Sequence, residues 1–515
     1  MKIEIYDTTL RDGAQGAGIN FTNADKLKII HALDELGVTY IEAWDHTANK
    51  TDNMFFNAPI QLKNSKLTAF GSTRKPYEPI TEGHVLHTIA ESSAQTVTIF
   101  GKSWLHHVDA VLKTTPEENL NMIFDTVKYL KSHGKDVIFD AEHFFDGYRD
   151  NAEYALMTIE TARKAAANAA ALCDTNGSML PDEIKRIFTE VKNKFPALKL
   201  GIHCHNDIGT AAANTIAAVT CGAVQVQGTI SGIGERCGNA NLNTIIPILQ
   251  IKLKHECISG EQLTLLTSTA RYVNEVANRA FDENEPFVGG HAFTHKAGTH
   301  IDAVRKSTRA VEHIIPSMVG NERKLLISGL AGSAAIHEKM IKVIPNLTKD
   351  SPQVTETLNM IKAYENEGYR YEDAEASLML LIYGALGIRS ETFNLIRYQV
   401  SVTEASNETN HCTALIKIAV GDETEITVAE GNGPVHALDM ALRKALLRFY
   451  PAIEPVKLVD YKVRVLNGED ATASKVRVSI ESTDGSKTWR TVGVSEDIID
   501  ASWQALADSY EYILI

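Results

Sequence analysis

Six cysteines in 515 residues, with no Cys-x-x-Cys pair, leave no material for a disulfide framework or a paired-cysteine metal motif. They read as reduced thiols. Long apolar runs are also missing: no stretch approaches the roughly 18 uninterrupted apolar residues of a membrane span. The opening Met1-Lys2-Ile3-Glu4-Ile5-Tyr6 enters a strand directly and lacks the shape of a signal peptide, so a cytoplasmic protein is expected. Positive charge is in short supply, 51 Lys and Arg against 65 Asp and Glu, a net charge of -14. That balance argues against nucleic acid or an anionic membrane as the main partner. An anionic substrate must therefore be held by a local basic pocket or a metal. The 44% hydrophobic and 23% charged content is that of an ordinary globular protein, long enough for two or three domains.

Two short segments carry the chemistry. Near the start stands Asp7-Thr8-Thr9-Leu10-Arg11-Asp12-Gly13, and far downstream His203-Cys204-His205-Asn206-Asp207. Alternate side chains of a strand share a face, so His203 and His205 point the same way. Two imidazoles and a carboxylate from elsewhere in the fold form a mixed set for one divalent metal with open positions for substrate. For a lone His-x-His the reading as two hydrogen-bonded strand histidines wins; the Arg-Asp segment tips the balance to metal. Asn206 and Asp207 read as partners that fix the histidine tautomers.

Residues 1–255 alternate short apolar runs with helical stretches. Strands are expected at Ile3 to Asp7, Thr39 to Ala43, Leu67 to Gly71, Thr96 to Phe100, Asp136 to Glu142, Ala169 to Asp174, Leu198 to His205 and Val224 to Thr229. Eight βα units in about 255 residues make an α/β fold, a (β/α)8 TIM barrel, whose active site lies at the C-terminal strand ends. Arg11, Asp12, Glu42, Glu142, Thr175, His203 and His205 all fall there. Residues 256–392 read as a helical linker subdomain, with a polar loop at Asp282-Glu283-Asn284-Glu285-Pro286. Residues 393–515 read as an internal repeat. Strands near 396–404, 411–420 and 423–429 lead to a helix over 435–449, and strands near 458–466, 474–482 and 487–494 to one over 496–508. A tandem βββα domain of this α+β kind serves regulation or dimerisation, or is only a structural cap.

A third segment, Gly234-Glu235-Arg236-Cys237-Gly238-Asn239, is a weak signal alone. Together the three resemble the DRE-TIM metallolyases, and within them the Claisen-condensing isopropylmalate, homocitrate and citramalate synthases. The strings Val97 to Trp104, Asp140 to Tyr148, Leu172 to Gly177 and Asp460 to Val465 resemble the bacterial (R)-citramalate synthase group over nearly the whole chain. The resemblance implies metal ligands at Asp12, His203, His205 and Asn239, and an Asp-Arg-Glu trio at Asp12, Arg11 and Glu42. It favours manganese or magnesium, with zinc open.

The implied reaction condenses acetyl-CoA with pyruvate and hydrolyses the thioester to citramalate and CoA, for isoleucine biosynthesis. A larger 2-oxoacid, as in 2-isopropylmalate synthesis, is the alternative. Arg11 would face the developing alkoxide and Thr175 the pyruvate carboxylate. Glu142 is either base or orienting carboxylate, and His300 either a catalytic assistant or an interface histidine. The tandem domain would bind isoleucine as effector and support a homodimer. The chain departs from its relatives at Ala43-Trp44-Asp45-His46, where a Gly-Gly-Trp-Pro turn is usual, at Val311 in place of a tyrosine, and at Gly329 in place of an acid.

Overall fold

The computed structural model describes residues 1–45, 60–80, 83–296, 298–326, 332–390, 392–403, 411–466 and 474–515. His46 and Gly329 lie outside the described residues. Two compact units emerge: Met1–Phe293 with Ile314–Arg323, and Thr294–His313 with Lys324–Ile515.

The first unit is a closed barrel of eight parallel strands: β1 (Glu4–Asp7), β2 (Tyr40–Asp45), β3 (Lys66–Ser72), β4 (Thr96–Lys102), β5 (Asp136–Glu142), β6 (Ala169–Asp174), β7 (Lys199–Cys204) and β8 (Gln225–Gly228). β1 closes the ring by pairing with β2 on one side and β8 on the other. Each expected strand is found within a few residues of its position. The connecting helices begin and stop where local chemistry directs. Thr22 and Asp25 form a capping box for the helix Asn23–Leu36, and Gly37 ends it at φ 84°, which a side chain would resist. Thr115 caps the helix Pro116–Ser132, whose first position is the proline tolerated there.

Side chains pointing outward from the strands, such as Phe139, Leu172 and Ile202, pack beneath these helices against helical residues such as Phe188, and all four are fully buried. Truncating one such aromatic, as in Phe188→Ala, costs about 3–5 kcal/mol. Inside the barrel, Tyr6, Ile138, Ala169 and Tyr40 form an apolar plug, with the two tyrosine rings 5.6 Å apart. Above that plug the interior is polar: Glu42, Thr98, Asp140 and Gln227 are all buried. A register shift between Glu42 and Trp44 on β2 marks a bulge at the strand end.

The second unit contains a short parallel pair, β9 (Thr294–His295) and β10 (Lys324–Leu325). Helices follow at Gly332–Ile341, Pro352–Glu367 and Glu375–Ala385. Two antiparallel three-stranded sheets then repeat one plan: β11 (Asn394–Thr403), β12 (His411–Val420) and β13 (Glu423–Gly431), then β14 (Lys457–Val465), β15 (Val476–Thr483) and β16 (Thr488–Ser495). Each is followed by its helix, Pro434–Leu447 and Ile498–Leu514, and the expected βββα repeat is present. The last helix outruns its expected end because Ser509 and Tyr510 are buried. Among the described residues no helix is long and apolar enough to cross a membrane.

Candidate active site

The turn after β1 is built by its own hydroxyls and amides. Arg11, Asp12 and Gly13 donate their backbone N–H groups to the Thr8 carbonyl at 3.2, 2.9 and 3.1 Å. Asp7 accepts from Thr9 N at 2.9 Å and Thr9 Oγ1 at 2.8 Å. Thr9 Oγ1 in turn accepts from Ile230 N, beyond β8, at 2.9 Å. The turn is thus locked across the barrel seam, and Asp12 is held at its centre.

Asp12 Oδ2 lies 3.3 Å from His203 Nε2 and 3.9 Å from His205 Nε2, and 3.2 Å from the Arg11 guanidinium. One ligand atom from each of Asp12, His203 and His205 falls within 4.8 Å of the others. All three residues are buried. His205 sits one residue past β7 and pairs with Asn239 in an isolated bridge. Asp12 Oδ2, His205 Nδ1 and Asn239 Oδ1 are buried with no well-directed hydrogen bond. Orphaned acceptors of this kind carry a desolvation cost unless a ligand meets them. A carboxylate and two imidazoles around one point, beside unsatisfied oxygen and nitrogen atoms, fit a divalent cation.

The electrostatics follow from the spacing. Burial opposes ionisation of Asp12, yet Arg11 and the two histidines outweigh it and hold the carboxylate well below its ordinary range. Burial and the neighbouring His203 push His205 down to about 3, which leaves a neutral ring with a lone pair to give. For His203, burial acts downward but contact with Asp12 wins and the net shift is upward. Burial, then Glu42, raises Asp140 to about 7.

Beneath these groups lies a polar chain. His203 Nδ1 is 2.9 Å from Gln227 Oε1, and Gln227 Nε2 donates to Asp140 Oδ1 at 2.9 Å. Glu42 accepts from the Tyr6 hydroxyl and from Arg11 Nε. Arg11 is further fixed by stacking its guanidinium 3.9 Å over the Phe70 ring. Glu42 therefore aims Arg11 from below, as the trio implies, while Arg11 and Asp12 face the opening.

That opening is a cavity of about 200 Å³ whose lining includes Arg11, Asp12, Glu142, Thr175, His203 and His205. Phe70 and Phe100, stacked at 5.3 Å, wall one side. Glu142, the last residue of β5, is paired with Lys102 at the end of β4. Thr175 Oγ1 accepts from His143 N at 2.9 Å, which leaves its O–H free to donate. His300 is exposed on the helix Gly298–Lys306 of the second unit and is not among the cavity residues. Val311 belongs to that unit too.

Asn206 and Asp207 do not orient the histidines. Arg236 takes Asp207 through contacts of 2.8 and 3.0 Å, and Asn206 Oδ1 accepts from Ala211 N. Gln227 does that work for His203. Its signal was present in β8, Gln225-Val226-Gln227-Gly228, where two amides interrupt an otherwise apolar strand. Glu285 was a second omission. It belongs to the barrel unit, is buried, and accepts from Asn241 at 2.7 Å, Asn243 at 2.8 Å and Ser231 at 3.1 Å. It anchors the segment that follows Asn239. Two glycines shape the same segment: a Cβ on Gly238, at φ 88°, would stand 2.0 Å from Gly232 O, and one on Gly234 would stand 2.1 Å from Asn239 Nδ2.

Known proteins agree with this architecture. The HMGL-like family matches residues 2–273, the homocitrate synthase post-HMGL domain-like family residues 287–368, and the LeuA allosteric (dimerisation) domain residues 372–514. The (R)-citramalate synthase of Aquifex aeolicus is 48% identical over all of this chain and 98% of its own. That of Geobacter sulfurreducens is 46% identical, covering 99% of this chain and 97% of its own. A 2-isopropylmalate synthase from Halalkalibacterium halodurans is 30% identical, covering 98% of this chain and 95% of its own. By its identity to these enzymes over its full length, the chain belongs to the (R)-citramalate synthase family.

Proposed function

We propose that the chain condenses acetyl-CoA with pyruvate and water to give (R)-citramalate and CoA. The observation that carries this reading is the convergence of Asp12, His203 and His205 beside Arg11 in one small cavity walled by Phe70 and Phe100. The choice of pyruvate over a branched 2-oxoacid is supported by the 48% and 46% identity to (R)-citramalate synthases, against 30% to a 2-isopropylmalate synthase.

In this reading Asp12, His203, His205 and Asn239 hold a divalent cation; the resemblance favours manganese or magnesium, and the two imidazoles leave zinc open. Such a cation, when bound, polarises the 2-oxo carbonyl. The rest falls to the chain. Arg11, held in one orientation by Glu42 and Phe70, keeps N–H donors directed to the oxygen that gains charge as the ketone is attacked. Thr175 donates its hydroxyl to the pyruvate carboxylate. Glu142 takes the proton from the acetyl methyl, with Lys102 fixing the carboxylate at the cavity edge. His300 and Val311 stand on the second unit, and this reading assigns them no step.

Residues 1–255 are the catalytic barrel in this scheme, 256–392 the linker, and 393–515 a domain that senses isoleucine and supports a homodimer. The protein works in the cytoplasm. The test is CoA release by wild type, Asp12→Ala and Glu142→Gln with acetyl-CoA, pyruvate and manganese. Activity is expected to vanish in the first and to fall by about 10²–10⁴-fold in the second with KM for pyruvate little changed. Full activity in Asp12→Ala refutes the site; a raised KM at unchanged kcat in Glu142→Gln reassigns that residue to orienting substrate.

A further inference from the structure

The open face of the sheet β14–β16 carries charge that neither the core nor the proposed reaction uses. Register sets Asp460 opposite Glu481, Lys462 opposite Ser479 and Arg464 opposite Arg477. The acidic row is matched within the sheet: Asp460 pairs with Lys462 at 2.7 Å and Glu481 with Arg490 at 2.5 Å. The arginine row has no such match among the described residues. Two like charges directly opposite in an antiparallel pair destabilise a sheet. Arg370, just beyond the helix Pro352–Glu367, adds a third guanidinium to the same cavity of about 550 Å³. Glu372, also in the lining, is taken by Lys296 at 2.5 Å, which leaves Asp373 facing three arginines.

The half-buried Arg477 registers this crowding. Burial first, then Arg370 and Arg464, draw its pKa below the ordinary arginine value. Its Nε donates to Gly368 O at 2.6 Å, which pins the planar head. One pinned fork with two exposed guanidiniums, Arg370 and Arg464, beside it is well matched to phosphate oxygens, which arginines can grip in pairs. In a chain of net charge -14, a local excess of about two positive charges is not a general surface property. The volume also exceeds what one inorganic ion fills, since a water occupies roughly 30 Å³.

We propose that this cavity binds an organic phosphate of nucleoside-diphosphate size, gripped by Arg370, Arg464 and Arg477. Two sources share that chemistry, a free nucleoside diphosphate and the phosphorylated ADP moiety of CoA. The site is independent of the reaction assigned to the barrel.

The experiment is calorimetric titration of the full chain with ADP, pyrophosphate and CoA, on wild type, Arg370→Gln and the double variant Arg464→Gln/Arg477→Gln. One saturable ADP site per chain is expected, weakened about tenfold or more in the double variant and by less in Arg370→Gln. Without ligand the double variant should unfold no earlier than wild type, because an opposed like-charge pair has been removed. A second CoA site that disappears in the double variant assigns the source to CoA; ADP binding without one assigns it to a free nucleotide. Absence of saturable binding by every probe, or undiminished ADP binding in a folded variant, overturns the proposal. If the double variant does not fold, Arg370→Gln decides by the same criterion.

Discussion

Both compact units tie down carboxylates, buried ones in the barrel and half-buried ones in the second unit. In the second unit, Asp508 accepts from Ser377 at 2.6 Å, and Asp439 accepts from the Tyr510 hydroxyl at 2.8 Å. These contacts tie the last helix to its neighbours. In the barrel, Glu42 and Asp140 are partnered in the same way, but the chain of contacts rises to Asp12, His205 and Asn239, where acceptors are left over. A carboxylate with its donors in place is a staple. A buried acceptor at the end of a satisfied network, at the strand ends of a barrel, marks a place made for something else.

The largest effect should come from breaking the barrel's end of this contrast. Asp12→Ala or His203→Ala is expected to abolish metal retention after dialysis, measured by elemental analysis, with circular dichroism unchanged. The next variant down the chain should act more weakly. Gln227→Leu removes the acceptor of His203 Nδ1, so metal affinity should fall about 10- to 100-fold in a titration while the fold survives. Glu285→Ala leaves the amides of Asn241 and Asn243 without their carboxylate. It should cost about 1–3 kcal/mol in denaturant unfolding and loosen the segment that carries Asn239.

These residues separate what the sequence discloses from what it hides. The strands were legible because barrel strands are short, apolar and regularly spaced, and the repeat because its turns recur. His203 and His205 were legible as a pair because spacing two along a strand fixes a shared face, and Asp12 joined them through the resemblance. Gln227 and Glu285 were not, because their roles arise only when chain closure brings β8 to β7 and a downstream loop to the Asn239 segment. Asp207 misled for the complementary reason. An acid two residues from His205 seemed a natural partner until Arg236 arrived from another loop.

The smallest effect lies in the second unit. Burial, opposed by Ser377 and Arg389, pushes Asp508 to about 6, whereas an unfolded aspartate titrates near 3.9. Between those values the folded chain keeps a proton that the unfolded chain has lost, so this group's contribution to stability declines as pH rises from about 4 to 6. Asp508→Asn should therefore unfold later than wild type at pH 7, by roughly 1 kcal/mol, with the difference shrinking toward pH 4. An advantage that grows on acidification would mean that Asp508 is held charged.

The account turns on what the barrel's open acceptors serve. CoA release should be measured with manganese, acetyl-CoA and, in turn, pyruvate, 2-oxobutyrate, 2-oxoisovalerate and 2-oxoglutarate. The account predicts a clear preference for pyruvate, lost when the metal is chelated and restored when it is returned. Preference for 2-oxoisovalerate, or release that is indifferent to chelation, would contradict it.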